Sequence, residues 1–311
     1  MSDIKQIAHE RATMNTAIRS FFSERGFVEV ETPIVVAAPG MEPNLRPFET
    51  KVIEPDGSQH AAGLITSPEY AMKKLLGQGM EKIFTITKVF RNEEAFGGQH
   101  NPEFSMLEWY QQGADYQACM DETEALVQVV ARALGVDQPE SVERLKLRDL
   151  FLEHAGVDLD QDLPPTHDPT DSQSDRFYRI FLEKIEPALQ DRNVFLYDYP
   201  KYQAALSTLT PDELYGQRFE LFMSGLELCN GFTELTDSAE QRRRFEQEAG
   251  ERMDLGKTVF PIDEELLALL GSVQTPTYGN ALGIDRLHMV LTGRSNIEDV
   301  LLFPANRLFK N

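Results

Sequence analysis

Cysteine is nearly absent. Cys119 and Cys229 are the only two in 311 residues, so neither a disulfide framework nor the paired-cysteine spacing of a zinc site is available. Both are expected to be reduced and structural. No stretch approaches the roughly 18 uninterrupted apolar residues of a membrane-spanning helix, and the opening MSDIKQIAHERATM has no apolar run after a basic patch. The expectation is a soluble cytoplasmic protein with no membrane partner. Positive charge is scarce as well: 30 Lys and Arg stand against 51 Asp and Glu, a formal charge of −21. Such a surface repels a phosphate backbone on average, which argues against nucleic acid as the main partner. Most of the acid excess needs no role beyond solubility. There is no internal repeat and no low-complexity tract.

What is present is enough chain for a large buried core. Over residues 4–25 the apolar positions Ile4, Ile7, Met14, Ile18, Phe21 and Phe22 recur at helical spacing, and Gly26 follows as a stop. Residues 27–32 (FVEVET) alternate apolar and polar up to Pro33, which predicts a strand ended by a residue without an amide donor. KIFTITKVF (82–90) and FSMLEWY (104–110) predict two more strands joined by a polar, Gly-containing loop. A second long helix is predicted over 121–134, where Leu126, Val127, Val130 and Leu134 share a face. Residues 156–175, rich in Pro, Asp, Ser and Thr, read as a surface excursion between helices. Residues 219–232 read as a hairpin turning at Ser224-Gly225, and 283–292 as a helix entered through glycine. Strands are too many for a simple strand-helix alternation, so the expected class is α+β, an antiparallel sheet flanked by helices.

Three groups of charged residues interrupt apolar strands, where a charge is costly unless paired or bound to a ligand. Arg91 and Glu93 close one strand, and His100, Asn101, Glu103, Phe104, Glu108 and Tyr110 open the return. Arginine can fork onto phosphate and an aromatic face can stack on a base; standing alone, the same group reads as a salt-bridged surface hairpin. Glu220, Glu227, Asn230 and Glu234 place three carboxylates and an amide within fifteen residues of the predicted hairpin. They suit Mg²⁺ or a cationic ligand, or else a solvated acidic edge. The third group, GNALGIDR (279–286), is a glycine-bearing strand-to-helix turn with Arg286 in the first helical turn, a setting that favours an anion.

Taken in order, GFVEVETP, FRNEE with HNPEFSMLEWY, and GIDRLHM resemble motifs 1, 2 and 3 of the class II aminoacyl-tRNA synthetases. RFELFMSGLELCNGFTELTD (218–237) is similar to the segment between motifs 2 and 3 in lysyl-tRNA synthetases, and the likeness runs over nearly the whole chain. It implies a single class II synthetase-like catalytic domain over 1–311, homodimeric through motif 1. It also implies an ATP-dependent, AMP-forming enzyme. Arg91 would neutralise the α-phosphate and Arg286 hold the γ-phosphate. Phe104 would stack on adenine while Glu93, His100 and Asn101 place the nucleotide, with Leu228 and Gly283 also at the ATP site. Glu220 and Glu227 would hold Mg²⁺. Ser67, Pro68 and Glu69 of TSPEY would receive the substrate amino group. Glu234 and Tyr110, helped by Glu108 and Asn230, would capture the distal ammonium of a lysine-like side chain.

Two features depart from lysyl-tRNA synthetases. Motif 1 falls within the first thirty or so residues, leaving no space for an anticodon-binding barrel and making tRNA a poor expected acceptor. The amino-acid pocket carries Ala281 where the synthetases have glycine, and YPKYQAAL (199–206) replaces their Ser-Pro-Leu run; a methyl group there reshapes a close-packed site. Both features resemble the elongation factor P β-lysine ligases, free-standing paralogues of these synthetases. That resemblance implies activation of (R)-β-lysine and transfer to a lysine ε-amine of elongation factor P. The competing expectations are a truncated synthetase-like enzyme acting with α-lysine on tRNA, and a non-catalytic regulatory relative. The second would be expected to have lost Arg91, Glu220, Glu227 or Arg286, all of which are present.

Overall fold

The computed structural model describes residues 3–137, 141–166, 168, 171–204 and 206–309. Two compact units emerge: one of Met1–Gly113, Thr236–Thr277 and Ala281–Asn311, the other of Ala114–Leu235 and Tyr278–Asn280.

The first unit begins with helix α1 (Ile4–Glu24), whose apolar spacing buries Ile7, Met14, Ile18, Phe21 and Phe22. Asp3 caps it by accepting from the Lys5 amide at 2.9 Å, and Gly26 ends it at φ +79°. The strand expected over 27–32 is shorter than its pattern: β1 (Val28–Glu29) pairs in parallel with Ile83 and Phe84, and one further bond runs from the Val30 amide to Phe84 O. The chain then leaves this ladder, and by Ile34 its carbonyl accepts from Ile65 instead. Strands β2 (Val35–Val36), β3 (Glu49–Ile53) and β4 (Gln59–Leu64) form a small antiparallel sheet in the order β2-β4-β3. After α2 (Glu69–Gly77) come β5 (Lys82–Phe90) and β6 (Glu103–Gln112), antiparallel, with Thr85 opposite Glu108 and Val89 opposite Phe104. Alternation sends Phe104, Met106, Glu108 and Tyr110 to one face of β6 and Leu107 and Trp109 to the other. That second face is core: the Phe22 ring lies 4.9 Å from Phe84 and 5.3 Å from Trp109.

The second unit opens with α3 (Tyr116–Leu134), five residues before the expected start. Its true cap is Asp115, which accepts from the amides of Gln117 and Ala118. Then follow β7 (Glu143–Lys146), α4 (Leu147–Ala155), α5 (Gln173–Ile180), β8 (Asn193–Pro200), β9 (Tyr215–Met223) and β10 (Leu226–Thr233). The last three pair antiparallel and β7 joins β8 in parallel. The 219–232 hairpin is confirmed, its turn formed by Ser224 at φ +51° and Gly225 at φ +73°, the doubly positive pair that matches strand twist. The segment 156–175 departs from expectation. Leu159 and Leu163 are buried against Phe151 and Phe177, because two apolar anchors suffice to tie down a run whose composition is otherwise that of a loop; His167, Pro169 and Thr170 lie outside the described residues.

The chain completes the first unit with α6 (Ser238–Asp254), α7 (Glu264–Leu270), β11 (Thr277–Gly283, whose residues 278–280 belong to the second unit), α8 (Ile284–Leu291) and α9 (Ala305–Leu308). Helix α8 is clamped to α1 and β6: Asp285 pairs with Arg11 and accepts from the Ser105 amide at 2.7 Å, while His288 Nε2 meets Glu10 Oε2 at 2.8 Å. The class is α+β, with mostly antiparallel strands flanked by helices. Among the described residues no helix is long and apolar enough to cross a membrane.

Candidate active site

On the ligand-facing side of β6, Glu108 is 1 % exposed. Its carboxylate accepts from Ser67 Oγ at 2.5 Å and from Tyr110 Oη at 2.9 Å. Ser67 stands just before α2, where its Oγ also accepts from the Glu69 amide at 3.1 Å. Pro68 forms the N-cap, and Lys73 Nζ reaches back one turn to Glu69 Oε1 at 2.5 Å. Burial, reinforced by the negative Glu69, pushes the Glu108 carboxyl up to about 8 even though both hydroxyls favour the ionised form. Two neighbouring carboxylates, Glu108 buried and Glu69 part-buried, suit ammonium groups. A cavity of about 430 Å³ that Ser67 also lines opens beside Pro68 and Tyr70, against Pro33, Val36, Ile65 and Ile262. Its Lys74 is paired with Asp263 and Glu265.

The anion-binding candidates lie farther along the same strands. The Arg91 guanidinium stands 5.1 Å from the Phe104 ring centroid, and the Arg91 amide donates to Pro102 O at 2.9 Å. Gly283 is the N-cap of α8 and Arg286 lies in its first turn, with Arg286 Nη2 3.2 Å from His100 Nε2. Ala281 packs with Phe104, Val89 and Met106, so its methyl group does border the apolar wall beside Phe104. Two expected residues point elsewhere. Asn101 spends its amide on backbone, donating to Glu103 O at 2.6 Å and accepting from the Ala305 amide at 2.9 Å. Glu93, at φ +63°, pairs with Arg46 at 2.7 Å.

In the second unit the hairpin carries its own set. Asn230 lies opposite Glu220 and Glu227 opposite Phe222, with a bulge between Glu227 and Cys229. Three positions apart on a regular strand, Glu227 and Asn230 would face opposite ways; Leu228 is the extra residue that brings both to the face of Glu220. Alternation continues that face to Glu234, which is 3 % exposed. Glu220 accepts from Tyr199 Oη at 2.7 Å and from Arg218 Nη2 at 2.6 Å. Burial raises its pKa, Arg218 opposes the shift and Glu227 adds to it. Two carboxylates on one strand face are the donor type that suits magnesium, which takes one or two protein carboxylates and leaves its other positions to phosphate oxygens and water. No group of three or more His, Cys, Asp or Glu suited to a metal occurs among the described residues.

Sequence reasoning missed Arg218 and Tyr199. Arg218 is 7 % exposed and joins Glu220, Asn230 Oδ1 at 3.1 Å and Gln203 O at 2.6 Å, with its guanidinium 4.5 Å over the Tyr199 ring. The available signal was its position two residues before Glu220, hence on the same strand face.

The profile of the tRNA synthetases class II (D, K and N) matches residues 1–307. Among curated relatives, the elongation factor P–(R)-β-lysine ligase of Hamiltonella defensa is 39 % identical over 96 % of this chain and 94 % of its own. That of Vibrio cholerae is 39 % identical over 99 % and 96 %, and that of Yersinia enterocolitica 38 % identical over 96 % and 94 %. The chain belongs to the class II (D, K and N) tRNA synthetase family, in the group of the elongation factor P–(R)-β-lysine ligases.

Proposed function

We propose that this ATP-dependent ligase activates (R)-β-lysine as its adenylate and passes the acyl group to the ε-amine of a lysine on elongation factor P, the whole chain acting as one catalytic domain. The observation that carries the reading is the Ser67–Glu108–Tyr110 network beside Glu69, a buried and a part-buried carboxylate suited to a substrate with two ammonium groups. The relatives' names supply the amino acid and the acceptor.

In the first half-reaction a carboxylate oxygen of the amino acid attacks the α-phosphorus, and the bond to the β-phosphate oxygen breaks to release pyrophosphate. Arg91 offsets charge at the α-phosphate and Arg286 holds the γ-phosphate. His100, beside Arg286, and Phe104, under Arg91, keep both guanidinium groups oriented. Glu69 and Ser67 take the ammonium nearer the carboxyl; Glu108 and Tyr110 take the distal one. In the second half-reaction the acceptor amine attacks the acyl carbon, loses a proton, and AMP leaves. No side-chain nucleophile takes part; positioning supplies the rate. Glu220 and Glu227 would hold Mg²⁺, which when bound neutralises phosphate charge. A homodimer through α1 and β1 and a cytoplasmic location complete the proposal.

The test is incubation with ATP, labelled (R)-β-lysine or α-lysine, and either elongation factor P or tRNA. Label from (R)-β-lysine should appear on the protein acceptor; efficient tRNA charging without protein labelling would overturn the reading. Arg286→Ala should abolish amino-acid-dependent ATP–pyrophosphate exchange, and an unchanged rate would remove Arg286 from activation.

A further inference from the structure

We infer that Glu42 is a specificity-determining residue of the amino-acid site, offering a second carboxylate beside Glu69 to the ammonium nearest the reacting carboxyl. The inference rests on the proposed amino-acid activation and adds a residue to it. Glu42 lies between β2 and β3, in a segment not singled out by any motif. Its Oε2 oxygen is shielded from solvent and has no hydrogen-bond partner, which is costly for a carboxylate unless a ligand supplies the donor. Its packing neighbours are defined. A Cβ built on Gly40, at φ +148°, would lie 2.6 Å from Glu42 Oε2 and 2.9 Å from Thr66 Oγ1. Both oxygens thus press against Gly40, which sets the Glu42 carboxylate beside Thr66, the residue before Ser67, Pro68 and Glu69.

The backbone beneath Glu42 is held rigidly. Arg252, 1 % exposed, donates to Glu42 O at 2.9 Å, Leu45 O at 3.0 Å and Thr258 O at 2.8 Å. These bonds occupy its guanidinium with carbonyls instead of the carboxylate. Burial first, and then Glu69, disfavour ionisation of Glu42, with Arg91 and Arg252 opposing. Glu248 of α6 feels the same field: burial and then Glu42 push its carboxyl up to about 8. A buried carboxylate oxygen without a donor suits a ligand that brings N–H⁺. α- and β-lysine differ only in which carbon carries this ammonium, so a second carboxylate set apart from Glu69 can distinguish them.

Glu42→Gln and Glu42→Asp test this by amino-acid-dependent ATP–pyrophosphate exchange, with melting midpoints measured alongside. Glu42→Gln should raise KM for (R)-β-lysine about tenfold or more, with kcat and the KM for ATP within about twofold of wild type. Glu42→Asp, which keeps the charge, should recover part of the loss. An analogue lacking the ammonium near the carboxyl should show the same KM with every variant. A KM for (R)-β-lysine unchanged in both variants, or an equal rise for the analogue, overturns the assignment, as does a lowered midpoint with unaltered kinetics. Wild-type enzyme that exchanges with neither lysine overturns the activation reading and this inference together; normal exchange with indifferent variants overturns this inference alone.

Discussion

The Ser67 hydroxyl donates to the Glu108 carboxylate at 2.5 Å across 41 positions of sequence, tying the segment before α2 to the middle of β6. The bond fixes a carboxylate where an apolar strand face would otherwise continue. It favours the ionised carboxyl, against burial and Glu69, which disfavour it.

Burial, then the neighbouring Glu69, hold the Glu108 carboxyl at about 8 in the folded protein against an ordinary value of 4.5. The folded state therefore binds this proton more tightly than the unfolded chain, and its contribution to stability is fully present below 4.5 and lost as pH rises through about 8. The ligand-free melting midpoint should fall over that window on this account. Saturating lysine-like amino acid should reduce the fall, because an ammonium stabilises the ionised carboxyl. Glu108→Gln should flatten the profile and weaken amino-acid binding. Calorimetry across the window, with and without the amino acid, checks this; a variant with the wild-type slope would sink it.

Arg218 ties three partners together from within the hydrogen-bonded strands of the second unit, among them the Glu220 carboxylate at 2.6 Å. Arg218→Met would leave Glu220 buried beside Glu227 with its counter-charge removed, at a cost of about 3–5 kcal/mol. Pairing it with Glu220→Gln should recover part of that loss, since the stranded charge goes too. Denaturant midpoints of the two single variants and the double variant measure the coupling. Strict additivity would show that the two side chains do not depend on each other.

The readable parts of this site are those with local causes. The strand pattern located β5 to its end residues and β6 to within two, and alternation put Phe104, Glu108 and Tyr110 on one face. The Ser224-Gly225 turn announced the hairpin that carries Glu220 and Glu227. Other features depend on partners far away in sequence. Whether residues 27–32 extend as a strand depends on how long β5 accompanies them, which no local pattern states. The bulge at Leu228 is visible only against β9, yet it decides which way Glu227 faces. Tyr199 reaches Glu220 because β8 happens to lie beside β9. Asn101, expected at the nucleotide, instead anchors backbone at Glu103 and Ala305, and an Asn in a polar loop carries no mark of which use it will have. The family likeness located the chemistry; it said nothing of Arg218 or Glu42.

The clamp between α1 and α8 gives the protein an acid limit that can be measured. Burial alone would raise the Glu10 carboxyl, but hydrogen bonds from Arg294, His288 and Gln6 lower it to about 2. Burial lowers His288 to about 4 despite its contact with Glu10. Both shifts destabilise the fold on acidification. The contribution of Glu10 is present above 4.5 and lost as pH falls towards about 2; that of neutral His288 is present above 6.5 and lost as pH falls through about 4. Glu10→Gln should cost about 1.5–3 kcal/mol at neutral pH, the scale of a charge-assisted hydrogen bond. The same variant should lose less additional stability than wild type between pH 4.5 and about 2. Urea midpoints at several pH values supply the comparison. If the variant and the wild type weaken in parallel as the solution is acidified, the Glu10 carboxylate does not set the acid limit of this fold.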